Sequence, residues 1–327
     1  MQPEVGIVVG AQDGKRQWQF TVRESVEVAI EATSVYQVLC TDRPPVRYDR
    51  LSINIGSTPN RTEIGSEGTR TIPVKPIGEF NARWLALLAR AQTQPGSMHI
   101  ALVGGGAGGV ELILAMHKRL RHELSLLDKD PNTLKFSLFT RGATILPTHN
   151  HSVQRRFIQT LRSRGIALHA NAAVVAVDDS GLTTVNGEYH SVDEVIWVTR
   201  AGGASWLKET GLSLDADGFI EVTNTLQTIT DQNIFAAGDV ATMVNHPREK
   251  AGVFAVRQGQ PLARNLRRSL ESKSLRDYHP QRNWLALIST GDKYAVASRG
   301  NFYAAGAWLW RWKDFIDPVS YTHLRAH

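Results

Sequence analysis

The sequence predicts an α/β fold, and three observations carry that prediction. Residues 99–111 read HIALVGGGAGGVE, an apolar run that breaks into glycines and leaves through Val110 and Glu111. Buried-strand and helical patterns then alternate as far as NIFAAGDVA at 233–241, the order expected of parallel strands joined by helical crossovers. With 327 residues, 42% hydrophobic and 21% charged, the chain has material for two globular domains.

Taken in order, residues 22–40 (VRESVEVAIEATSVYQVLC) are valine-rich and alternating, which predicts an antiparallel excursion. Pro44 and Pro45 are expected to break one strand from the next. After a loop at 57–71, residues 77–94 place Phe80, Trp84, Leu87 and Leu88 at helical spacing, and Pro95-Gly96 ends that helix. A strand ending at Val103 follows. Gly104, Gly106 and Gly109 make a GxGxxG, with Gly105 inside it, ahead of a helix over 109–124. Gly104 permits the tight turn, Gly106 lets the backbone approach a pyrophosphate, and Gly109 lets the helix pack closely on the strand. The free N–H groups of that helix then point at the phosphates. Glycine turns of this kind also arise for structural reasons alone, so context decides. A second parallel strand is expected at 135–141 (KFSLFTR), and RRFIQTLRSRG supplies a helix closed by Gly165. IALHANAAVVAVDD, EVIWVTR and NIFAAGDVA read as further strands, and AAGAWLWRWKDFID is aromatic and basic.

Composition excludes several function classes. The single cysteine, Cys40, rules out an internal disulfide, CxxC redox chemistry and a cysteine zinc site, so redox work needs a bound cofactor. His149 and His151 have no partner at metal-ligand spacing, and no GxSxG is present. The net charge of +6 suits nucleic acid, an anionic membrane surface or an anionic dinucleotide alike. Arg264, Arg267 and Arg268 share a helical face without interleaved aromatics, which reads as a solvated basic face; no nucleic-acid partner is expected. Apolar stretches are too short for a bilayer and the N-terminal residues lack a signal-peptide pattern, so a cytoplasmic location is expected.

Three separated segments now agree: YDRLSINIGS at 48–57, the glycine turn with Glu111, and TLQTITDQNIFAAGD at 225–239. Together they resemble the two-dinucleotide-binding-domain flavoproteins of the pyridine nucleotide-disulfide oxidoreductase superfamily, in particular the thiol-free type II NADH dehydrogenase branch, over about residues 22–317. IPVKPIGEFNARW, KAGVFAVRQGQPLARNL and ALISTGDKYAVASRG look most like the flavoprotein segment fused ahead of selenide, water dikinase.

The resemblance implies a Rossmann-like NAD(P)-binding domain at 96–204, inserted into an incomplete FAD-binding domain made of 1–95 and 205–270. A small α+β segment at 271–317 and an unstructured tail at 318–327 complete the expected chain. The implied cofactors are FAD and NAD(P)H. The implied reaction passes hydride from NAD(P)H to flavin and electrons to a quinone or another small acceptor, without a redox disulfide.

Residue roles follow from the resemblance. Asp239 would accept a hydrogen bond from a flavin ribityl hydroxyl and Gly238 would leave space for the flavin, with Gly56 also at the cofactor. Gly202, with Gly203, would restore a turn in VIWVTRAGG, where the family usually ends in Ala-Thr-Gly. Glu111 either lies beside the nicotinamide and the flavin or simply favours the helix N-terminus, worth about 0.3–1 kcal/mol. Lys75 either pairs with Glu111 near the flavin or is a surface lysine. Gln258, with Gly259, sits on a helix whose N-terminal half points at the flavin, while Lys250 before it adds charge there or is solvated.

Thr140-Arg141 occupies the place where an NAD-type fold carries an acidic residue, 31 residues past Gly109 instead of the usual ~20. An arginine there accommodates a 2′-phosphate, so NADPH and NADH stand equal. The family opens with another GxGxxG unit for the ADP half of FAD, and this chain is expected to start after it, since GIVVGAQDG lacks the glycine spacing. That departure keeps a second reading open, a truncated NAD(P)-binding or interaction module without turnover. Trp308, Trp312, Phe315 and Ile316 form an aromatic helical face beside Arg311 and Lys313; packing against the protein is expected ahead of association with a membrane interface.

Overall fold

A computed structural model describes residues 5–10, 17–22, 28–32, 36–40, 43–59, 71–74, 77–198, 201–281 and 284–323. The chain divides into two compact units, Met1–Thr58 with Ala201–Arg282, and Pro59–Arg200 with Asn283–His327.

The second unit is built on a five-stranded parallel sheet, in spatial order Ile166–His169, Leu134–Phe139, Met98–Val103, Glu194–Trp197 and Thr71–Pro73. Register aligns His169, Phe139, Val103, Trp197 and Pro73 in one row at the carboxyl ends. Three helices, α1 (Ile77–Thr93), α2 (Ala107–Leu126) and α3 (His151–Ser163), supply the cover. Leu87, Ile113, Leu120, Phe157 and Leu161 from these helices join Ile100, Leu102 and Leu138 in one core, and Phe80, Trp84 and Leu88 pack against it. Asn150 starts α3 by accepting the N–H groups of Ser152 and Val153, and Gly165 (φ +70°) follows its end. A three-stranded antiparallel sheet (Val174–Val177, Gly181–Thr184, Tyr189–Ser191) contributes Val177 and Leu182 to a second cluster with Val103, Phe139 and Trp197.

The expected boundary at residue 95 is therefore corrected. Strand Thr71–Pro73 pairs with Glu194–Trp197 and α1 buries Leu87 in the same core, so these elements belong to the unit that begins at Pro59.

His117 on α2 is buried edge-on to Phe136, with ring centroids 5.0 Å apart. Burial, with Arg121 and Arg164 nearby, pushes its pKa from 6.5 down to about 4. The unfolded chain takes up this proton near pH 6.5 and the folded chain only near about 4, so stability is full above that window and falls as pH drops through it. The slope reaches about 1.4 kcal/mol per pH unit for this one group. Burial lowers His99 and His169 too, in the same direction. Chemical denaturation between pH 7.5 and 4 is expected to show this loss, and His117→Leu to flatten it in part; an unchanged slope in the variant would refute the assignment.

In the first unit, Leu51–Ile53 pairs in parallel with Ile234–Ala236, and Ile220–Val222 with Ala241–Met243. Helix α4 (Gly252–Leu270) buries Leu262 against this core of Leu51, Ile53, Phe235 and Val222. Asn265 of α4 is fully buried and donates to the carbonyls of Thr225 (2.9 Å) and Arg276 (2.8 Å), tying the helix to the loop before the 234–236 strand. Arg264 and Arg267 are exposed. The antiparallel excursion forms from Val28–Ala32, Tyr36–Cys40 and Arg43–Arg47. Pro44 and Pro45 lie inside the last of these strands instead of between strands. It is the edge strand, and the register shifts where Cys40 pairs with Arg43, so the missing N–H groups break no regular ladder. The first residues of GIVVGAQDG lie in strand Val5–Gly10, which pairs antiparallel with Gln17–Val22.

The small α+β segment expected at 271–317 takes shape from Ala286 onward. A meander of Ala286–Ser289, Ala295–Arg299 and Phe302–Gly306 leads into α5 (Ala307–His323), all within the second unit. Its first turn rests on α2: a Cβ at Gly291 (φ +81°) would lie 2.8 Å from the Leu114 carbonyl oxygen. Arg164 holds the same turn, donating to the Thr290 carbonyl at 2.6 Å and pairing with Asp292 at 2.7 Å. The expected tail is helical as far as His323, and 324–327 lie outside the described residues. α5 buries Leu309 against the meander, which leaves Trp308 (60% exposed), Trp312 (43%) and Phe315 (70%) in the open, contrary to the expected packing. The side chain of Ile316 lies outside the described residues. Among those residues no helix is long and apolar enough to cross a membrane.

Candidate functional site

The glycine turn sits at the carboxyl end of the 98–103 strand, whose neighbours 134–139 and 194–197 lie on opposite sides. That is the switch point where open α/β sheets bind ligands. Gly104 has φ +136°, and its N–H donates to the Phe139 carbonyl at 2.9 Å. A Cβ at Gly109 would strike the Gly104 carbonyl oxygen, and one at Gly105 would lie 2.5 Å from Thr140 Oγ1. Protein packing therefore demands glycine at these positions. Gly106 differs: φ is −74°, ψ 176°, and an added Cβ meets nothing within 4 Å. Nothing described in the fold requires glycine there, whereas a ligand lying against the backbone would.

Helix α2 begins at Ala107, two residues earlier than expected, with no side-chain cap and no acidic residue in its first turn. Its N–H groups and positive dipole end therefore suit an anion. Glu111 consequently lies in the second turn, which removes the reading of it as a first-turn acid. Its carboxylate accepts the Ser289 N–H at 2.6 Å and lies 3.7 Å from Lys313 Nζ on α5. Glu111 thus links α2 to the C-terminal meander and helix. Lys75 lies outside the described residues.

In the first unit, Gly238–Val240 forms a 3₁₀ turn directly after the 234–236 strand. Gly238 has φ +77° and a Cβ there would strike Asn54 Oδ1, so its own backbone and a neighbour account for the glycine. Its N–H donates to Oε1 of buried Gln258 at 2.6 Å, which makes Gln258 the brace of this turn. Asp239 is half-buried, accepts from Ser57 Oγ at 3.4 Å, and lines a cleft with Lys250, Phe254 and Gln258. The N-terminus of α4 opens on the same cleft, again without a side-chain cap or a first-turn acid. Gly56 (φ +72°) turns the chain after the 51–53 strand. Gly202 is buried and its carbonyl accepts from Thr58 Oγ1 at 3.3 Å, while the tight approach falls at Gly203, where a Cβ would strike the Gly218 carbonyl oxygen.

Lys250 lines this cleft and is not the freely solvated lysine of the second expectation. Its ammonium donates to the Ala241 carbonyl (2.7 Å) and Thr242 Oγ1 (2.8 Å) and lies 3.9 Å from the centre of the Phe219 ring. Burial pushes its pKa below 10.5, against the opposing pull of Asp215, Asp239 and Asp217. His149 and His151 hydrogen-bond to Ser298 Oγ (2.9 Å) and Gln154 Oε1 (3.2 Å).

The family model described as pyridine nucleotide-disulphide oxidoreductase matches residues 11–259. The chain belongs to that family. Among similar proteins, a type II NADH:quinone oxidoreductase of Haemophilus influenzae is 26% identical over 220 residues, 64% of this chain and 46% of the relative. The NADH dehydrogenase-like protein YutJ of Bacillus subtilis is 22% identical, over 75% of this chain and 64% of its own. The chain spans about half the length of the curated relatives it matches. Among solved structures, the sulfide:quinone oxidoreductase of Aquifex aeolicus superposes with TM-score 0.69 at 17% identity, covering 89% of this chain and 73% of that one. NDH2 from Plasmodium falciparum in complex with NADH gives 0.65 at 15% identity, covering 90% and 82%. These likenesses establish a Rossmann-like α/β fold.

The flavin end of FAD fits this member of the family: Asp239 is an acceptor at a strand's carboxyl end, and the α4 N-terminus offers uncapped N–H groups beside it. For the ADP half, the described residues contain no second strand–glycine turn–helix.

Proposed function

We propose that the chain is the nicotinamide- and flavin-handling part of an FAD-dependent NAD(P)H oxidoreductase that passes electrons to a quinone-like acceptor. The observation that carries this is the uncapped glycine turn at the switch point of the 98–103 strand, with Gly106 held open where nothing in the fold needs it. The family match and the names of the relatives support the reaction class. With a single cysteine, the chain holds no thiol pair for a dithiol relay.

FAD, when bound, supplies the hydride acceptor and the route for electrons onward. The protein's residues bind and orient. The α2 N-terminus and the glycine turn hold the pyrophosphate of NAD(P)H by backbone N–H groups and dipole. Gln258 and Gly238 set the position of Asp239, whose carboxylate would accept a hydrogen bond from a hydroxyl of the flavin's polyol chain, and the positive end of α4 would favour negative charge near that cleft.

The test is anaerobic turnover of the purified chain supplied with FAD, NAD(P)H and a water-soluble quinone. Quinone reduction that needs both FAD and NAD(P)H is the expected result. Tight NAD(P)H binding with no turnover would instead support a binding module without catalysis.

A further inference from the structure

We propose that the nucleotide site of the second unit selects a 2′-phosphorylated dinucleotide, NADPH over NADH, through Arg141; this rests on the reading of the glycine turn as an NAD(P)H site. In such a sheet the adenosine ribose lies at the carboxyl end of the second strand, here just after Phe139. Recognition of an unphosphorylated ribose needs a carboxylate there to accept from its hydroxyls. That position is held by Thr140, whose side chain is 8% exposed and packs beneath Gly105. Thr140 thus supports the glycine turn from below and leaves the ribose without an acceptor. Residues 140–149 contain no Asp or Glu, so nothing in this loop repels a phosphate.

Arg141 stands exposed at the same rim. Its backbone is held on both sides: the Thr140 N–H donates to the His169 carbonyl, the Ala172 N–H to the Thr140 carbonyl, and the Asn171 N–H to the Gly142 carbonyl, each at 2.9 Å. The Leu146 N–H donates to the Gly105 carbonyl at 2.8 Å, which ties the far end of this loop to the glycine turn itself. The fixed backbone sets where the side chain starts, and the planar guanidinium's paired donors match two oxygens of a phosphate.

Calorimetric titration of the intact chain with 2′,5′-ADP and with 5′-ADP isolates this contact, because neither ligand carries a nicotinamide and no turnover is involved. One charge-assisted phosphate contact corresponds to about 10- to 100-fold in affinity. The chain is expected to bind 2′,5′-ADP tighter by that factor, Arg141→Ala to equalise the two, and Arg141→Asp to favour 5′-ADP. Equal affinities in the unaltered chain, or an advantage that survives Arg141→Ala, would overturn the selectivity while leaving the dinucleotide site in place. Binding of neither ligand to the unaltered chain would overturn the dinucleotide reading as well.

Discussion

Gly109→Ala is expected to reduce NAD(P)H affinity by about 100-fold or more and to destabilise the second unit. The added methyl meets the Gly104 carbonyl oxygen, a backbone atom of a turn whose N–H is already committed to Phe139. Alanine gains about 1 kcal/mol over glycine as a helix former, but forcing a methyl into filled space costs about 1–3 kcal/mol and displaces the very atoms that hold the phosphates. Gly106→Ala provides the contrast. Its methyl enters open space and its φ suits alanine, so stability is expected to change by no more than about 1 kcal/mol at this helix-cap position while affinity drops about tenfold or more. Denaturant melts beside fluorescence titrations read both quantities. Unaltered binding in Gly106→Ala would contradict the assignment of this turn to a phosphate.

Phe139→Ala is the substitution with the largest expected cost in stability, about 3–5 kcal/mol. The ring is fully buried, lies parallel to His169 with centroids 4.4 Å apart, and meets His190 edge-on at 5.0 Å. It thereby joins the parallel sheet to the antiparallel sheet over 174–191. Its loss also loosens the strand that receives the Gly104 N–H and carries Thr140 and Arg141, so nucleotide affinity falls with it. Urea denaturation followed by fluorescence checks the first effect. A loss under about 1 kcal/mol would show that the two sheets do not depend on this contact.

What was legible in the sequence was local. The glycines at 104 and 109, the strand before them and the helices at 77–94 and 155–165 follow from sterics and periodicity within a few residues, and the structure places them accordingly. What was not legible depends on partners far along the chain. Glu111 accepts from Ser289, 178 residues away, and nothing near Glu111 marks that bond. For Lys250 the sequence leaves open added charge at the cofactor or plain solvation, and only Phe219, Ala241 and Thr242, in part far from it along the chain, show it enclosed. The prolines at 44 and 45 signal a break, yet an edge strand with a register shift absorbs both. The aromatic face of α5 signals burial by composition alone, but Leu309 takes the packed side of the helix. Asn54, beside Gly238, had no signal beyond its nearness to the 51–53 strand.

The most direct measurement of the central claim is the visible absorption spectrum of the purified chain after addition of FAD and removal of the excess, before and after anaerobic NADPH. The account predicts a retained flavin band that bleaches on NADPH addition and returns with a quinone. Protein that holds no flavin, or flavin that NADPH leaves oxidised, would contradict it.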